Sequence, residues 1–268
     1  MKIAITGKGG VGKTTLSAVL CYLFKEEGKK VIAVDADPDA NLAGALGVPR
    51  DKVSSIRPIA ELKDLIAERT GAMPGQMGGV FKLNPKVDDI PEEIGYRIGG
   101  EGNSRDGIVL LTIGSSKEAA SGCYCPENVF LRRLLKHLIV ERDEVVIVDM
   151  EAGIEHLTRG TAEGVDAFIV VVEPGSRSIQ TAMTVKEMAK GLGIKRVFVV
   201  GNKVRGEEDR DFIKNNVTSM ELLGFISFNH EIMEADIKGI SPYHYSSRAR
   251  DEIKSIKENL LNKIAGSV

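Results

Sequence analysis

The chain has 268 residues, 28% of them charged and 43% hydrophobic, and its 36 basic and 38 acidic side chains leave a net charge of −2. That balance belongs to a folded chain long enough to bury a core without disulfide staples, and it marks no general polyanion binder. No apolar run approaches the ~18 residues that span a bilayer. The segment Met1–Gly7 is too short and too soon interrupted for a signal peptide, and three cysteines form no disulfide framework, so a cytoplasmic protein is expected.

Strands and helices alternate along the chain. Lys2–Thr6 is a short apolar run, followed by a glycine-rich loop and a predicted helix over Lys13–Glu27. Val31–Asp35 is a second run, ending in an acid, and Ile59–Arg69 has helical spacing that Gly71 stops. Ile108–Ile113, Val145–Asp149, Ala167–Glu173 and Arg196–Asn202 follow, rich in β-branched residues, with Gly224–Phe228 as a last short strand. Runs that are apolar throughout indicate strands buried on both faces, as in a parallel sheet. With helices between them they predict an α/β fold: a doubly wound, mostly parallel sheet flanked by helices. Gly71–Gly107 breaks the rhythm with three prolines and many glycines, and a stretch that long and irregular is more often functional or mobile than a spacer. No repeat or linker divides the chain, so residues 1–268 are expected to form one domain with an irregular insertion at about 71–107.

Gly7-Lys8-Gly9-Gly10-Val11-Gly12-Lys13-Thr14 matches G-x-x-x-x-G-K-[ST], after a predicted strand and at the start of a predicted helix. Glycines let backbone N–H groups turn inward around phosphate oxygens, and the helix N-terminus favours negative charge. Gly9, Gly10, Val11, Gly12, Lys13, Thr14 and Thr15 are the expected phosphate-side contacts. Lys13 would reach the β- and γ-phosphates of ATP or ADP, and the Thr14 hydroxyl would bind Mg²⁺. A fold of this kind is a P-loop NTPase.

The second lysine of the loop, Lys8 in G-K-G-G-x-G-K-T, resembles the deviant Walker A ATPases. That family includes the nitrogenase iron protein and the ATPases that position plasmids and division sites. The resemblance implies a homodimer in which Lys8 crosses to the partner's nucleotide and neutralises charge on the transferring phosphoryl group, much as an arginine finger does. The segment Val34-Asp35-Ala36-Asp37-Pro38-Asp39-Ala40-Asn41 looks like the first switch of the family. By that match Asp37 activates the attacking water, while Asp35 and Asn41 belong to the Mg²⁺ hydration shell. Asp39 suits a capping or solvated role better. Val145–Asp149 resembles a Walker B strand, with Asp149 taking Mg²⁺ through water and Gly153 donating its N–H to the γ-phosphate. Asn202, at the end of another apolar strand, corresponds to an Asn that hydrogen-bonds the adenine edge in the family, although an Asn there is also an ordinary turn residue.

Gly122-Cys123-Tyr124-Cys125-Pro126-Glu127-Asn128 precedes an amphipathic helix, with Pro126 suited to its first position. A thiol at a helix start is more readily a thiolate, which suits a soft metal. Two thiolates do not close a four-coordinate site, but two copies across a two-fold axis would offer four sulfurs to Zn²⁺ or Ni²⁺. A pair of small buried residues or a transient disulfide would leave the same spacing. Cys21, in mid-helix, reads as core.

With the Cys-x-Cys-Pro-Glu-Asn motif, the insertion segment Phe81–Pro91 and Asp149-Met150-Glu151-Ala152-Gly153-Ile154-Glu155-His156-Leu157, the chain resembles one subfamily. It is that of the nickel-insertion ATPases that mature carbon-monoxide dehydrogenase. The resemblance implies an ATP-dependent metallochaperone that dimerises with nucleotide, holds Ni²⁺ (or Zn²⁺) between paired Cys123 and Cys125, and serves a metalloenzyme client. Three other readings share the nucleotide site. A positioning ATPase would act on DNA or membrane, and the near-neutral charge speaks against nucleic acid. The helix expected at Arg248–Ile264 mixes acids with its lysines and so suits docking on its own domain rather than membrane insertion. An iron–sulfur reductase of the nitrogenase iron protein type would bridge its cluster with cysteines far apart in sequence, unlike this pair, while four sulfurs from two copies would also suit a cluster. A cysteine-clamped zinc would act only as a static staple. His137, His156, His230 and His244 have no metal-ligand spacing with one another, and the last two are expected in late loops.

Overall fold

A computed structural model describes residues 1–75, 80–99, 107–114, 125–152 and 164–266. Among these, eight strands form one sheet: β1 (Lys2–Thr6), β2 (Val31–Asp35), β3 (Tyr96–Ile98), β4 (Ile108–Thr112), β5 (Val145–Asp149), β6 (Ala167–Val172), β7 (Val197–Val204) and β8 (Glu221–Ser227). Their order is β3-β4-β2-β5-β1-β6-β7-β8, and every pairing except β3 with β4 is parallel. The expected doubly wound α/β sheet is therefore the observed one.

The apolar runs that predicted buried strands divide their side chains between two cores. Ala4, Ile32, Val34, Val146, Val148, Phe168 and Val170 face one core, which the helices Pro126–Lys136 and Ser176–Gly191 cover. Ile3, Ile5, Val31, Ala33, Ile147, Ile169 and Val171 face the other, covered by Lys13–Glu26 and Ser247–Ala265. A residue slip in any central strand would exchange the two sets.

The C-terminal helix docks on its own sheet. Ala249, Ile253, Ile256 and Leu260 are fully buried, and Gly224 on β8 lets Ile256 approach: a Cβ there would stand 2.9 Å from Ile256 Cγ1. No helix among the described residues is long and apolar enough to cross a membrane.

Three local expectations change. The stretch 71–107 supplies a short helix, Ile90–Glu93, and the antiparallel edge strand β3. Both are too short for periodicity to reveal. The last strand begins earlier than Gly224, at Glu221, because β7 offers its edge there. His230 and His244 lie in the helices His230–Lys238 and Pro242–Tyr245 rather than in loops. Asn229 caps the first of these, its side-chain oxygen accepting from Glu231 N–H at 2.9 Å.

Candidate functional site

The C-terminal ends of β1, β2 and β5 lie side by side, where parallel sheets place their ligands. From β1 the chain enters the glycine loop, with Gly10 and Gly12 at φ +78° and +96°. A Cβ on Gly12 would lie 2.1 Å from the Asn202 amide nitrogen, so close approach as well as φ requires glycine there. The following helix, Lys13–Glu26, has no side-chain cap. Its first N–H groups therefore face a cleft of about 650 Å³ with their donors available for an anion.

Gly9, Gly10, Gly12, Lys13, Thr14, Thr15, Asp37 and Asn41 all line this cleft, together with Glu151 from the segment after β5. Val11 is fully buried. Lys13 is buried and pairs with Asp37, Nζ to Oδ2 at 3.5 Å. Asp37 sits on the turn that Pro38 enforces, where its Oδ1 accepts from Asp39 N–H at 3.1 Å. Lys8 is half-buried, and no ion pair or side-chain hydrogen bond joins it to another described residue.

Two buried aspartates stand beneath the cleft, in register on adjacent strands. Asp35 has both oxygens engaged, accepting from Leu42 N–H at 2.9 Å and Asp37 N–H at 3.3 Å. Burial nevertheless pushes its carboxyl up to about 7. Asp149 accepts from Ser17 Oγ at 3.1 Å, and burial pushes it up to about 6. Its Oδ2 is buried with no hydrogen-bond partner. A carboxylate oxygen so placed beside the Thr14 hydroxyl calls for a cation, and the donors are the hard oxygens that Mg²⁺ prefers. Ser17, one turn after Lys13, escaped sequence reading. Its i+4 spacing on the helix was the available signal, and its one hydroxyl proton is shared between Asp149 and Lys13 O, which stands 2.9 Å away.

Behind the loop, the β7–β8 register shifts between Gly201 and Val204. The Asn202 amide donates to Val11 O at 2.6 Å, and its oxygen accepts from Lys203 N–H at 2.7 Å. Both ends of the amide are thus engaged with protein backbone. Lys203 Nζ donates to Gly10 O at 2.6 Å and to Glu173 Oε2 at 3.1 Å. Asn202, Lys203 and Glu173 also line a second cavity of about 570 Å³ beside Gly10, Gly12 and Thr15. Lys203 and Glu173 were not singled out from sequence, because no periodicity records a side chain that turns back onto a loop.

Cys125 is buried at the start of the helix Pro126–Lys136, with extended backbone, Pro126 at the first helical position and Glu127 in the first turn. Cys21 is fully buried, and burial raises its thiol. Cys123, Gly153 and His156 lie outside the described residues. Among the described residues no group of three or more His, Cys, Asp or Glu side chains could hold a metal ion.

The family model of the CobQ/CobB/MinD/ParA nucleotide binding domain matches residues 2–243. The chain belongs to this family of P-loop ATPases. An ATP-binding protein of Methanocaldococcus jannaschii is 48% identical to it over 259 residues, covering 96% of each chain. The carbon monoxide dehydrogenase accessory protein CooC of Rhodospirillum rubrum is 46% identical over 264 residues, covering 98% of this chain and 97% of that one. Among solved structures, the septum site-determining protein MinD of Pyrococcus horikoshii OT3, complexed with Mg-ADP, superposes with a TM-score of 0.65 at 22% identity, over 99% of this chain and 97% of that one. This last likeness concerns the fold. The glycine loop, the cleft and the paired strand-end aspartates all lie within the span that this family model matches, and they form the candidate site.

Proposed function

We propose that this ATPase is an accessory factor of a carbon-monoxide dehydrogenase, acting in the cytoplasm to insert nickel. What supports the reading above all is its near-full-length similarity to an accessory protein of that enzyme. The Cys-x-Cys motif at a helix start adds the chemistry such a role needs. The whole chain acts as one ATPase domain.

The loop N–H groups from Gly9 to Thr15 bind the phosphates of ATP, and Lys13 neutralises the β/γ oxygens. Lys13 now pairs with Asp37; a triphosphate would compete for that ammonium and release the Asp37 carboxylate to orient a water. Lys8 extends toward the nucleotide of a second copy, adding charge from outside the loop. Magnesium, which would be held by the Thr14 hydroxyl and through water by Asp149 and Asp35, with Asn41 nearby, neutralises developing charge when bound. Gly153 completes the phosphate contacts, and the adenine lies on the Asn202 side.

Nickel is cargo in this scheme. Cys123 and Cys125 of two copies supply four thiolates around one ion, and zinc can take the same place. Nucleotide drives delivery only if metal affinity differs between the ATP and ADP states. Cys123→Ser with Cys125→Ser should abolish stoichiometric Ni²⁺ binding, while the fold and the site for ADP stay intact. Retention of stoichiometric Ni²⁺ by the double variant, measured anaerobically by equilibrium dialysis, would overturn the assignment.

A further inference from the structure

The phosphate loop is gripped from behind by a residue that no motif names. Lys203 is one of two non-glycine residues with positive φ among the described residues, at +57°. A lysine in that region is held against its own preference, and such strain persists where the surroundings over-determine it. Here they do. The β7–β8 register shifts between Gly201 and Val204, which frees Asn202 and Lys203 from the ladder. The Asn202 side-chain oxygen then holds the Lys203 N–H, and the side chain turns back to place its ammonium on Gly10 O and Glu173 Oε2.

The consequence concerns direction. A peptide unit whose carbonyl is fixed outward has its N–H fixed on the opposite side. Asn202 holds the carbonyl of Val11 and Lys203 holds that of Gly10, two successive carbonyls of the loop. The next N–H groups are thereby restrained in orientation: that of Val11 donates to Lys8 O at 3.3 Å and closes the loop's own turn, and that of Gly12 follows the carbonyl that Asn202 holds. An unrestrained glycine-rich loop would pay this ordering entropy on each binding event. We infer that Lys203, anchored by Glu173, is a positioning residue that preorganises the phosphate loop for nucleotide.

Glu173 gives the clamp a fixed base. Its own N–H donates to Ser178 Oγ at 3.1 Å, at the start of the helix Ser176–Gly191. The ammonium is only partly shielded, with 43% of the Lys203 side chain exposed. Its contact with Glu173 alone would therefore contribute little. The carbonyl contact on the loop is what the pair delivers.

The test uses the full-length protein and a fluorescent ADP and ATP analogue pair, titrated well below the melting temperature. Lys203→Met should raise Kd for both nucleotides about tenfold and by the same factor, because the contact precedes any difference at the γ-phosphate. Lys203→Arg keeps a cation within reach of Gly10 O and should recover most of the loss. Lys203→Gly removes the amine while giving the backbone the residue best suited to φ +57°. It should lose affinity like the methionine variant without losing thermal stability. Glu173→Gln should show a smaller loss, and combining it with Lys203→Met should add nothing further. Unchanged nucleotide affinity in folded Lys203→Met and Lys203→Gly would overturn the inference. So would a loss in Lys203→Met that Lys203→Gly, with its relaxed backbone, does not share.

Discussion

At the scale of single residues, the site depends on what is small and what is charged. Gly12 is held between its φ of +96° and the Asn202 amide. Gly12→Ala is expected to cost about 1–3 kcal/mol of stability and to weaken ADP binding, as read by denaturant titration and ADP titration side by side. Normal ADP affinity would mean that the Asn202 side can retreat without disturbing the loop. Asp37 makes a sharper case. Asp37→Asn keeps the size of the side chain but frees Lys13 from its partner. ATP turnover should fall about 10²-fold, while ADP binds as tightly as before or more tightly. Weaker ADP binding in this variant would contradict the competition proposed for Lys13.

Residue chemistry also explains what could be read in advance. Asp35 and Asp149 were legible because each ends an apolar run, and an acid is unexpected inside a buried sheet unless something needs it. The orphaned Oδ2 of Asp149 agrees with that need. Lys203 was illegible, since its contact with Gly10 spans 193 residues and depends on a local fault in the β7 ladder.

At the scale of elements, the central strands were easy and the edges were not. β1, β2 and β5 are five residues each, and all are fully buried. Their apolar runs have no other stable use. β3 is three residues, none of them buried, whose pairing is decided by β4 alone, so only the assembled sheet defines it. The C-terminal helix tests how the second core is closed. Ile256→Ala should destabilise the fold by about 2–5 kcal/mol. Gly224→Ala should also destabilise it, because the new methyl meets Ile256. The two together should cost less than the sum, since the first change makes room for the second. Additive costs in urea denaturation would show that Gly224 is needed for another reason.

At the scale of the whole molecule, the fold explains how one end of a sheet gathers the glycine loop, two buried acids and the turn that carries Asp37. The tie from Thr6 Oγ1 to Glu151 O at 2.5 Å joins the base of the loop to the segment after β5. The sequence motifs made this end readable because phosphate binding has a local solution, a strand, a loop and a helix in succession. The proposed cargo site would have no such local solution, since it would need Cys-x-Cys motifs from two copies of the chain.

The most direct measurement is anaerobic Ni²⁺ stoichiometry and affinity, followed with oligomeric state, in the absence of nucleotide, with ADP and with ATP. One nickel per dimer, with an affinity that changes between ADP and ATP, is the predicted result. Nickel binding that is absent, or identical in all three conditions, would contradict a nucleotide-driven insertion role.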